Sequence, residues 1–338
     1  MEKRQRVLDA ISHKETDCVP WHADFTHQQL EKMIQHTGDA DFAAHVGNHI
    51  TGVYYDGYLQ EKADRPGYFQ DDFGVLWNRN GADKDIGMIV GAVIPEPDIS
   101  LIRMPAIQAD RLHQELREMA QRDNGCFRLG SIGFSLFERA WTLRGMEDLL
   151  ADMIQEPAFV DALLDAICEH NLKVMDIALE YPLDGFYFGD DWGQQKGLIM
   201  GPALWRRFIR PRLARMYAHA KEKGLKVFQH SCGDIHDVFP DLIEIGLDVY
   251  QTFQPEIYDI RLVKKEFGRD LTFFGGISTQ RLLPFGTPEE VRAKTREILS
   301  VMRPGGGYIL SPTHAVPGDV PPENIMAMLD VFKHQDLP

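Results

Sequence analysis

The segment KVFQHSCG, residues 226–233, carries the pattern that decides the fold class of this chain. It is a short run of strand-forming residues that ends at a glycine, which is typical of a β-strand. It follows a helical pattern over residues 201–223, where apolar side chains form one stripe and Gly224 ends the helix. A helix that leads into a strand is the repeating unit of a parallel sheet, so the segment predicts an α/β fold.

The same alternation of strands and helices continues along most of the chain. Further strands are predicted over residues 19–25, 126–133, 185–191, 249–255, 271–277 and 307–313, and the irregular region 43–60 leaves room for an eighth. This number of strands favours a (β/α)8 TIM barrel with N-terminal helices over an open doubly wound sheet. No G-x-G-x-x-G motif follows a predicted strand, which argues against a dinucleotide-binding fold.

Three local signals define where helices begin or break. Thr287-Pro-Glu-Glu has the spacing of a capping box. Pro157 is predicted to begin a helix with a weak cap, because no Ser, Thr, Asp or Asn directly precedes it. Pro211 stands inside the helical pattern of residues 201–223 and predicts a kink or a break there.

One segment departs from the alternation. Residues 68–103 contain two apolar runs joined by NRNGADKD, and the Asn80-Gly81 pair is a turn signal. This pattern predicts a β-hairpin inserted between early units of the barrel, at a place suited to a lid or a partner surface. We therefore expect residues 1–338 to form a single barrel domain that carries this insertion.

The composition excludes several classes of partner. The 338 residues include 36 basic and 51 acidic side chains, a net charge of −15, which argues against nucleic acids and anionic membrane surfaces. No apolar run is long enough to span a membrane, and the N-terminus lacks the apolar core of a secretory signal. Four scattered cysteines are typical of reduced thiols, so the expected location is cytoplasmic. They are Cys18, Cys126, Cys168 and Cys232.

Polar side chains gather where the predicted strands end, which is the catalytic end of a parallel barrel. Five of the strand ends carry such groups. They are His22 and Asp24; Tyr187, Asp190, Asp191 and Trp192; His230 and Cys232; Gln251, Gln254 and Glu256; and Ser311 and His314.

The His-x-Cys pair is the most informative of these groups. Residues at i and i+2 of a strand lie on the same side, so His230 and Cys232 both point inward if the strand is regular. Histidine nitrogen and cysteine sulfur are preferred zinc ligands, and His314 is the candidate for a third ligand. The plainer alternative is a packed cysteine beside a histidine that is hydrogen-bonded in the core. Trp192 is likewise a residue type found more often in a core than in a cavity wall.

These residues resemble the uroporphyrinogen decarboxylase superfamily, and within it the branch of zinc-dependent corrinoid methyltransferases. The resemblance covers nearly the whole chain and is specific only when its motifs are taken together. The motifs are KRQRVLDAISHKETDCVP (3–20), LRGMEDLLADM (143–153), FGDDWGQQKGLIMGPALWRRFIRPRL (188–213), FQHSCGDI (228–235), FFGGIST (273–279) and YILSPTHAVPGDVPPENI (308–325).

The resemblance implies a barrel whose active site lies at its mouth and holds zinc. His230 and Cys232 match the first two metal ligands of the methyltransferase branch, and His314 stands where that branch has a second cysteine. One thiolate fewer would leave the metal more positive by one charge and better suited to polarising an oxygen than to activating a thiol. The implied reaction moves a methyl group between a small methylated substrate or thiol and a corrinoid carried by a partner protein. A homodimer is compatible with the resemblance.

Roles for the remaining residues follow from the implied site. Asp190 is expected to orient a ligand histidine or to handle a proton, with Tyr187 beside it. Substrate contacts are expected from the residues that line the pocket. They are Trp192, Gln254, His22 and Asp24.

Two alternatives remain open at this point. The first is a metal-free decarboxylase or lyase of the uroporphyrinogen decarboxylase type, with Asp190 as its acid–base group. Members of that branch resemble one another in an arginine-bearing motif after the first strand, and VPWHADFTHQQ, residues 19–29, has no arginine to hold substrate carboxylates. The second is a non-catalytic barrel that binds a small molecule or a corrinoid protein, for which the histidine at position 314 would be a broken ligand set.

Overall fold

The structure is a computed structural model that describes residues 1–81, 87–122 and 124–335. Within that part of the chain the strands are short and fall into two sheets. They are β1 (Ile50–Tyr55), β2 (Gln60–Glu61), β3 (Tyr68–Gln70), β4 (Leu76–Asn78), β5 (Met88–Ile89), β6 (Phe127–Ile132), β7 (Gly185–Gly189), β8 (Lys226–His230), β9 (Val249–Phe253), β10 (Thr272–Ile277) and β11 (Tyr308–Pro312).

The main sheet has seven parallel strands in the order β1-β6-β7-β8-β9-β10-β11. Its strand order follows the chain, with helices between most neighbours, so the predicted α/β class and parallel sheet are confirmed. Six of its strands lie inside the predicted segments, and β1 lies in the region 43–60 where an eighth strand was sought.

The first predicted strand, residues 19–25, does not form a regular ladder. It makes isolated parallel bridges, Trp21 with Leu310 and Phe25 with Val316. The backbone amide of His22 donates to the carbonyl of Leu310 at 3.0 Å, while the amide of His49, just before β1, donates to Trp21 at 2.9 Å. The segment therefore contacts chain at both edges of the curled seven-stranded sheet.

Helices flank the strands along the described chain. They are α1 (Lys3–Ile11), α2 (His27–Thr37), α3 (Phe42–His45), α4 (Ala109–Gln121), α5 (Phe137–Arg144), α6 (Met146–Gln155), α7 (Pro157–Ala178), α8 (Gly201–Leu204), α9 (Arg210–Glu222), α10 (Phe239–Glu244), α11 (Ile260–Phe267), α12 (Leu282–Phe285), α13 (Pro288–Met302) and α14 (Pro322–His334). Short 3₁₀ turns occur at Ile99–Leu101 and His236–Val238. No helix in the described residues is both long and apolar enough to cross a bilayer.

The predicted helix boundaries are largely confirmed. Thr287 caps α13, accepting from the amide of Glu290, whose side chain accepts in return from the amide of Thr287. Pro157 begins α7 without a side-chain cap. The predicted helix over residues 201–223 is interrupted by a π-helical turn at Trp205–Ile209, directly before Pro211. A proline has no N–H to donate to the preceding turn, which accounts for the changed register there.

The amino ends of the main-sheet strands enclose an apolar cluster. Phe228 lies between Phe127 and Phe274, with ring centroids 5.7 and 6.4 Å away. Val7 and Ile11 of α1 belong to the same buried cluster, so α1 packs against this end of the sheet. The filled amino end leaves the carboxyl ends of the strands as the place for a cavity.

A second, antiparallel sheet has the order β2-β3-β4-β5. The hairpin insertion predicted over residues 68–103 spans three of these strands, whereas β2 precedes the predicted boundary. Part of the predicted turn, residues 82–86, lies outside the described residues. Trp77 of β4 is buried beneath this small sheet and reaches the cavity of the main sheet.

Candidate active site

Two adjoining cavities, of about 400 and 300 Å³, lie at the carboxyl ends of the main-sheet strands. Tyr54 and His314 line both of them. The first also contains His22, Asp24, Tyr187, Gln251 and Ser311. The second contains Asp56, Trp77, Phe134, Glu138, Asp191 and His230. Most of the polar residues expected at strand ends therefore share one continuous site.

His230, Cys232 and Asp191 form a compact cluster at this site. His230 Nε2 lies 3.5 Å from Cys232 Sγ and 3.2 Å from Asp191 Oδ1. One ligand atom from each residue lies within 4.8 Å of the other two. Nitrogen, sulfur and carboxylate oxygen are the donor types that zinc accepts, so the group is chemically able to hold such an ion.

Backbone geometry brings Asp191 to this cluster. The loops after β7 and β8 run so close that a Cβ on Gly233 would lie 2.3 Å from the carbonyl carbon of Gly193. Gly233 also has φ of +76°, which a side-chain-bearing residue rarely adopts. The close approach lets Asp191 Oδ1 accept the backbone amide of Cys232 at 2.7 Å. Asp191 is thereby held against both of the predicted ligands on β8.

The orientation of His230 follows from its other ring nitrogen. Gln251 pairs with His230 across β8 and β9, and His230 Nδ1 contacts Gln251 Oε1. Tyr187 Oη donates to the same amide oxygen at 3.0 Å. An amide oxygen only accepts, so Nδ1 carries a hydrogen and Nε2 is the ring nitrogen that faces Cys232 and Asp191, where it can hold either a proton or a metal ion. Metal-binding histidines are commonly fixed in this way by an acceptor behind the ring.

The cluster is electrostatically suited to a cation. Burial alone would lower the pKa of His230, but Tyr187, Cys232 and Asp191 outweigh it and raise the pKa well above its usual value. Burial would raise the pKa of Asp191, yet the hydrogen bond and charge of His230 lower it to about 2. The pocket therefore stabilises positive charge between these side chains, and a proton and a metal ion would compete for the same place.

His314, the predicted third ligand, lies near the cluster but not in it. Its ring centroid is 6.0 Å from that of His230, with the rings nearly perpendicular. Its side chain is exposed and lines both cavities, where desolvation and then the charge of His230 lower its pKa. Asp191 takes the third position in the cluster instead. Strand periodicity did not predict this, because Asp191 lies in a loop where alternation of side chains no longer holds.

Asp190 faces away from the predicted ligands. Its carboxylate accepts the amides of Phe137 and Glu138, at 2.9 and 2.7 Å, and Trp192 Nε1 at 2.6 Å. It thereby caps the amino end of α5, whose first amides have no partner within the helix. Burial raises the pKa of Asp190 to about 6. The carboxylate that contacts His230 is Asp191, so the expectation that Asp190 orients a ligand histidine does not fit the structure.

Trp192 also differs from its predicted place. Its side chain has no exposed surface and packs against Trp205, with ring centroids 5.3 Å apart. A residue buried in this way belongs to the core, so Trp192 is not positioned to contact substrate. Both Trp192 and Asp190 act on the site only by holding the loop after β7 against α5.

The other predicted substrate residues lie close to the cavity. His22 Nε2 and Asp24 Oδ2 are 2.8 Å apart, and both line the larger cavity with Tyr187. Gln254 is buried, and its Oε1 accepts the backbone amide of Gly233 at 2.8 Å. Gln254 therefore supports the loop that follows Cys232, whereas His22, Asp24 and Tyr187 border the space that a substrate would occupy.

Comparison with known proteins assigns the family. The profile described as Uroporphyrinogen decarboxylase (URO-D) matches residues 133–335, more than half of the chain. The chain belongs to the uroporphyrinogen decarboxylase family. The family resemblance read from the sequence motifs is thus confirmed.

Two relatives of this family member are methyltransferases by name. The first is a methylated-thiol–coenzyme M methyltransferase of Methanosarcina mazei, 23% identical over 221 residues, which are 65% of this chain and 57% of that protein. This chain thus matches a little more than half of that relative's length. The second is the structure of a methyltransferase from Methanosarcina mazei, with a TM-score of 0.71, 18% identity and 99% of each chain covered. At that identity the likeness establishes the shared fold.

Several cavity residues of this family member were not singled out from the sequence. Asp56 follows β1 and Glu138 lies beyond β6, so both carry the signal of a polar group after a strand end. Trp77 carries no such signal, because it comes from the small antiparallel sheet and reaches the site only through tertiary packing.

Proposed function

We propose that this family member is a methyltransferase. It would move a methyl group between a small methylated substrate or thiol and a corrinoid held by a separate protein. The single observation that carries the proposal is the cluster of His230, Cys232 and Asp191 at the edge of the cavity, which His230 and Asp191 line. The family assignment and the methyltransferase names of two relatives support it. We further propose that residues 19–25 close the curled sheet into a barrel as its eighth strand. Their backbone hydrogen bonds to both edges of the main sheet support this.

Zinc is the metal that best fits the donor set. We propose His230 and Cys232 as ligands, with Asp191 as the third. His314, the ligand predicted from the sequence, is the candidate to hold the fourth position until a substrate thiol replaces it. The nitrogen, thiolate and carboxylate donors are typical of a zinc site. When bound, the metal would supply Lewis acidity and hold a thiol acceptor as its thiolate.

Asp191 changes the charge expected for this site. The sequence interpretation, with one thiolate and two histidines, left the site one charge more positive than the methyltransferase branch. A carboxylate ligand restores that negative charge, because Cys232 and Asp191 together would balance a divalent ion. The argument against activating a thiol acceptor therefore loses its basis, and both a thiol and an oxygen-bound methyl group remain compatible with the proposal.

The chain's own residues would position the reactants. Gln251 and Tyr187 fix the His230 ring, and Asp190 holds α5 and the loop after β7. His22 and Asp24 border the larger cavity on the side of His314. In the transfer, the electron pair of the acceptor forms the new bond to the methyl carbon, and the pair of the broken bond stays with the leaving group. The role of these residues is to align acceptor, methyl carbon and leaving group.

A decarboxylase acting on a polycarboxylate is less well supported. Asp24 and Asp56 line the combined cavity and would repel substrate carboxylates. The N-terminal stretch of residues 19–29 has no arginine to offset them. The non-catalytic alternative predicts the same cavity without turnover. A cytoplasmic location, a homodimer and a single domain with an inserted hairpin remain predictions from the sequence and the resemblance.

Elemental analysis of the purified protein tests the metal assignment. We expect about one zinc ion per chain, as for a four-coordinate protein site. Cys232→Ala and Asp191→Ala should lose most of it, whereas the matched control Cys18→Ala should retain it. Full zinc in Cys232→Ala would refute the ligand assignment, and His314→Ala shows whether the fourth ligand comes from that residue. Methyl transfer to a thiol from a methylated corrinoid, absent in Cys232→Ala, then separates an enzyme from a binding protein.

A further inference from the structure

One side of the smaller cavity combines acidic and aromatic side chains. We call this surface the acidic aromatic wall; it consists of Tyr54, Asp56, Trp77, Phe134 and Glu138. None of these residues belongs to the metal cluster, although Asp191 and His230 border the same space. The wall comes from the carboxyl ends of β1 and β6 and from the small sheet.

The carboxylate of Asp56 has one oxygen that no positively charged or hydrogen-bonding group among the described residues contacts. Its Oδ1 is buried and has no hydrogen-bond partner among the described residues. Burial raises the pKa of Asp56 to about 6, although Arg139 opposes this. The Arg139 guanidinium is itself engaged, since it pairs with Asp71 at 3.0 Å in a fully buried ion pair. A buried, unpaired carboxylate is costly, so a bound cation beside Asp56 would be stabilised.

The charges that face this space favour a cation. Asp56 and Glu138 contribute carboxyl groups, while Asp71 is paired with Arg139 and Asp191 with His230. Burial, and then the charges of Asp191 and Asp190, raise the pKa of Glu138 well above its usual value, so a bound cation would favour its ionised form. The guanidinium of Arg79 also reaches the lining, where it lies 5.1 Å from the ring centre of Phe69. If Asp191 binds a metal ion, Asp56 and Glu138 remain as two acidic groups in the lining, against the one positive charge of Arg79.

The aromatic side chains add a surface that binds cations without hydrogen bonds. The rings of Trp77 and Phe134 are stacked, with centroids 5.8 Å apart and planes at 21°. Phe134 has φ of +41°, a strained conformation for a residue with a side chain, so the surrounding structure holds this ring at the cavity. Indole and phenol rings attract methylated cations through their π-faces, and Tyr54 lines the same space.

We propose that the acidic aromatic wall binds the methyl-bearing substrate, and that this substrate is an onium cation, a methylated ammonium or sulfonium. The inference rests on the proposed methyltransferase function and names its substrate class. A quaternary ammonium or sulfonium ion has no N–H or S–H to donate, so it requires what the wall offers, carboxylate charge and aromatic faces. The leaving group is then a neutral amine or thioether, which keeps the electron pair of the broken bond.

A matched pair of probes tests the charge requirement directly. Choline and 3,3-dimethylbutan-1-ol have nearly the same shape, but the second has carbon in place of the charged nitrogen. We expect isothermal titration calorimetry on the purified protein to give choline an affinity about ten-fold higher or more, as one cation–π contact and one charge pair provide. Trimethylsulfonium compared with tetramethylammonium then separates sulfur donors from nitrogen donors.

Variants locate the binding to the wall. Asp56→Asn should remove most of the preference for choline over the neutral alcohol, and Glu138→Gln should reduce it. Asp110→Asn, an exposed aspartate at the start of α4, is the matched control and should leave the preference intact. Quenching of tryptophan fluorescence by the bound cation gives a second readout that needs no turnover.

The outcomes separate this inference from the proposed function. Equal affinity for choline and the neutral alcohol, or stronger binding of the anionic methylated thiol 2-(methylsulfanyl)ethanesulfonate, would overturn the onium assignment. Unchanged preference in Asp56→Asn would overturn the wall as its site. Zinc content measured in the same samples tests the metal cluster independently, because no binding experiment here depends on methyl transfer.

Discussion

The two ends of the main sheet differ in whether their side chains find packing or hydrogen-bond partners within the protein. At the amino ends, Phe127, Phe228 and Phe274 pack together beneath α1. At the carboxyl ends, His230, Cys232 and Asp191 lie close together, while Asp56 has a buried oxygen with no hydrogen-bond partner in the described part of the chain. The amino end stabilises the fold, whereas the carboxyl end holds charged groups whose partner would be a bound ligand. Mutations at the two ends should therefore separate stability from binding.

The largest expected effect is at the amino end. Phe228→Ala removes a fully buried ring from the cluster, and such a cavity costs about 3–5 kcal/mol of unfolding free energy. Chemical denaturation monitored by circular dichroism measures the loss. The zinc content of the protein that remains folded should be unchanged. Loss of zinc from folded Phe228→Ala would show that the two ends are not separable.

Asp190 and Asp191 provide the next comparison, because they are adjacent but face opposite ways. Asp190→Ala leaves two backbone amides and an indole N–H without acceptors, at a cost of about 3 kcal/mol in unfolding free energy. Asp191→Ala should lose zinc but cost less, about 1–2 kcal/mol in the metal-free protein, because it removes one amide acceptor and one ion-pair partner of His230 from a side chain that is 35% exposed. Denaturation and elemental analysis of both variants give the two readouts. Equal stability losses would contradict the assigned roles.

The pH dependence of stability should reveal a histidine at the amino end. Burial, and then the charge of Arg6, lower the pKa of His49 to about 3. The unfolded chain binds a proton near pH 6.5 and the folded chain does not, so stability falls as the pH drops below about 6.5. The loss from this group amounts to about 2 kcal/mol at pH 5. Denaturation curves of the native protein and of His49→Asn test this: the variant should show a flatter profile, and an identical slope would refute the cause.

The smallest expected effect concerns the orientation of His230. Gln251→Ala removes the acceptor behind the ring, and loss of such a partner lowers metal affinity about ten-fold. Competition with a chromophoric chelator measures the affinity. Gln254→Ala, which changes the neighbouring loop contact but not the ring, is the control. A larger effect from the control would mean that loop position, not ring orientation, determines affinity.

The fold was largely predictable because strand–helix alternation is a local property. The segments containing β6 to β11 were all recognised, since each is a short run of strand-forming residues between helices. Residues 19–25 were harder to place: they look like a strand, but only isolated bridges join them to the edges of the sheet. That outcome depends on long-range packing, which local pattern does not contain.

The site was predictable in part. His230 and Cys232 lie together because both are fixed by β8 and the residues just after it. Asp191 takes the place in the cluster predicted for His314, and the place beside His230 predicted for Asp190. The sequence could not predict either outcome, because both depend on the close approach of Gly193 and Gly233. Trp77 and its contribution to the acidic aromatic wall depend on how the small sheet folds over the cavity, which periodicity does not reveal.

X-ray absorption at the zinc edge tests the central claim most directly. The cluster predicts a first shell with one sulfur at about 2.3 Å and nitrogen or oxygen ligands at about 2.0–2.2 Å. The sulfur contribution should disappear in Cys232→Ala, whatever metal that variant retains. A zinc spectrum with no sulfur in the native protein, or with more than one, would contradict the assignment of His230, Cys232 and Asp191 as the metal centre.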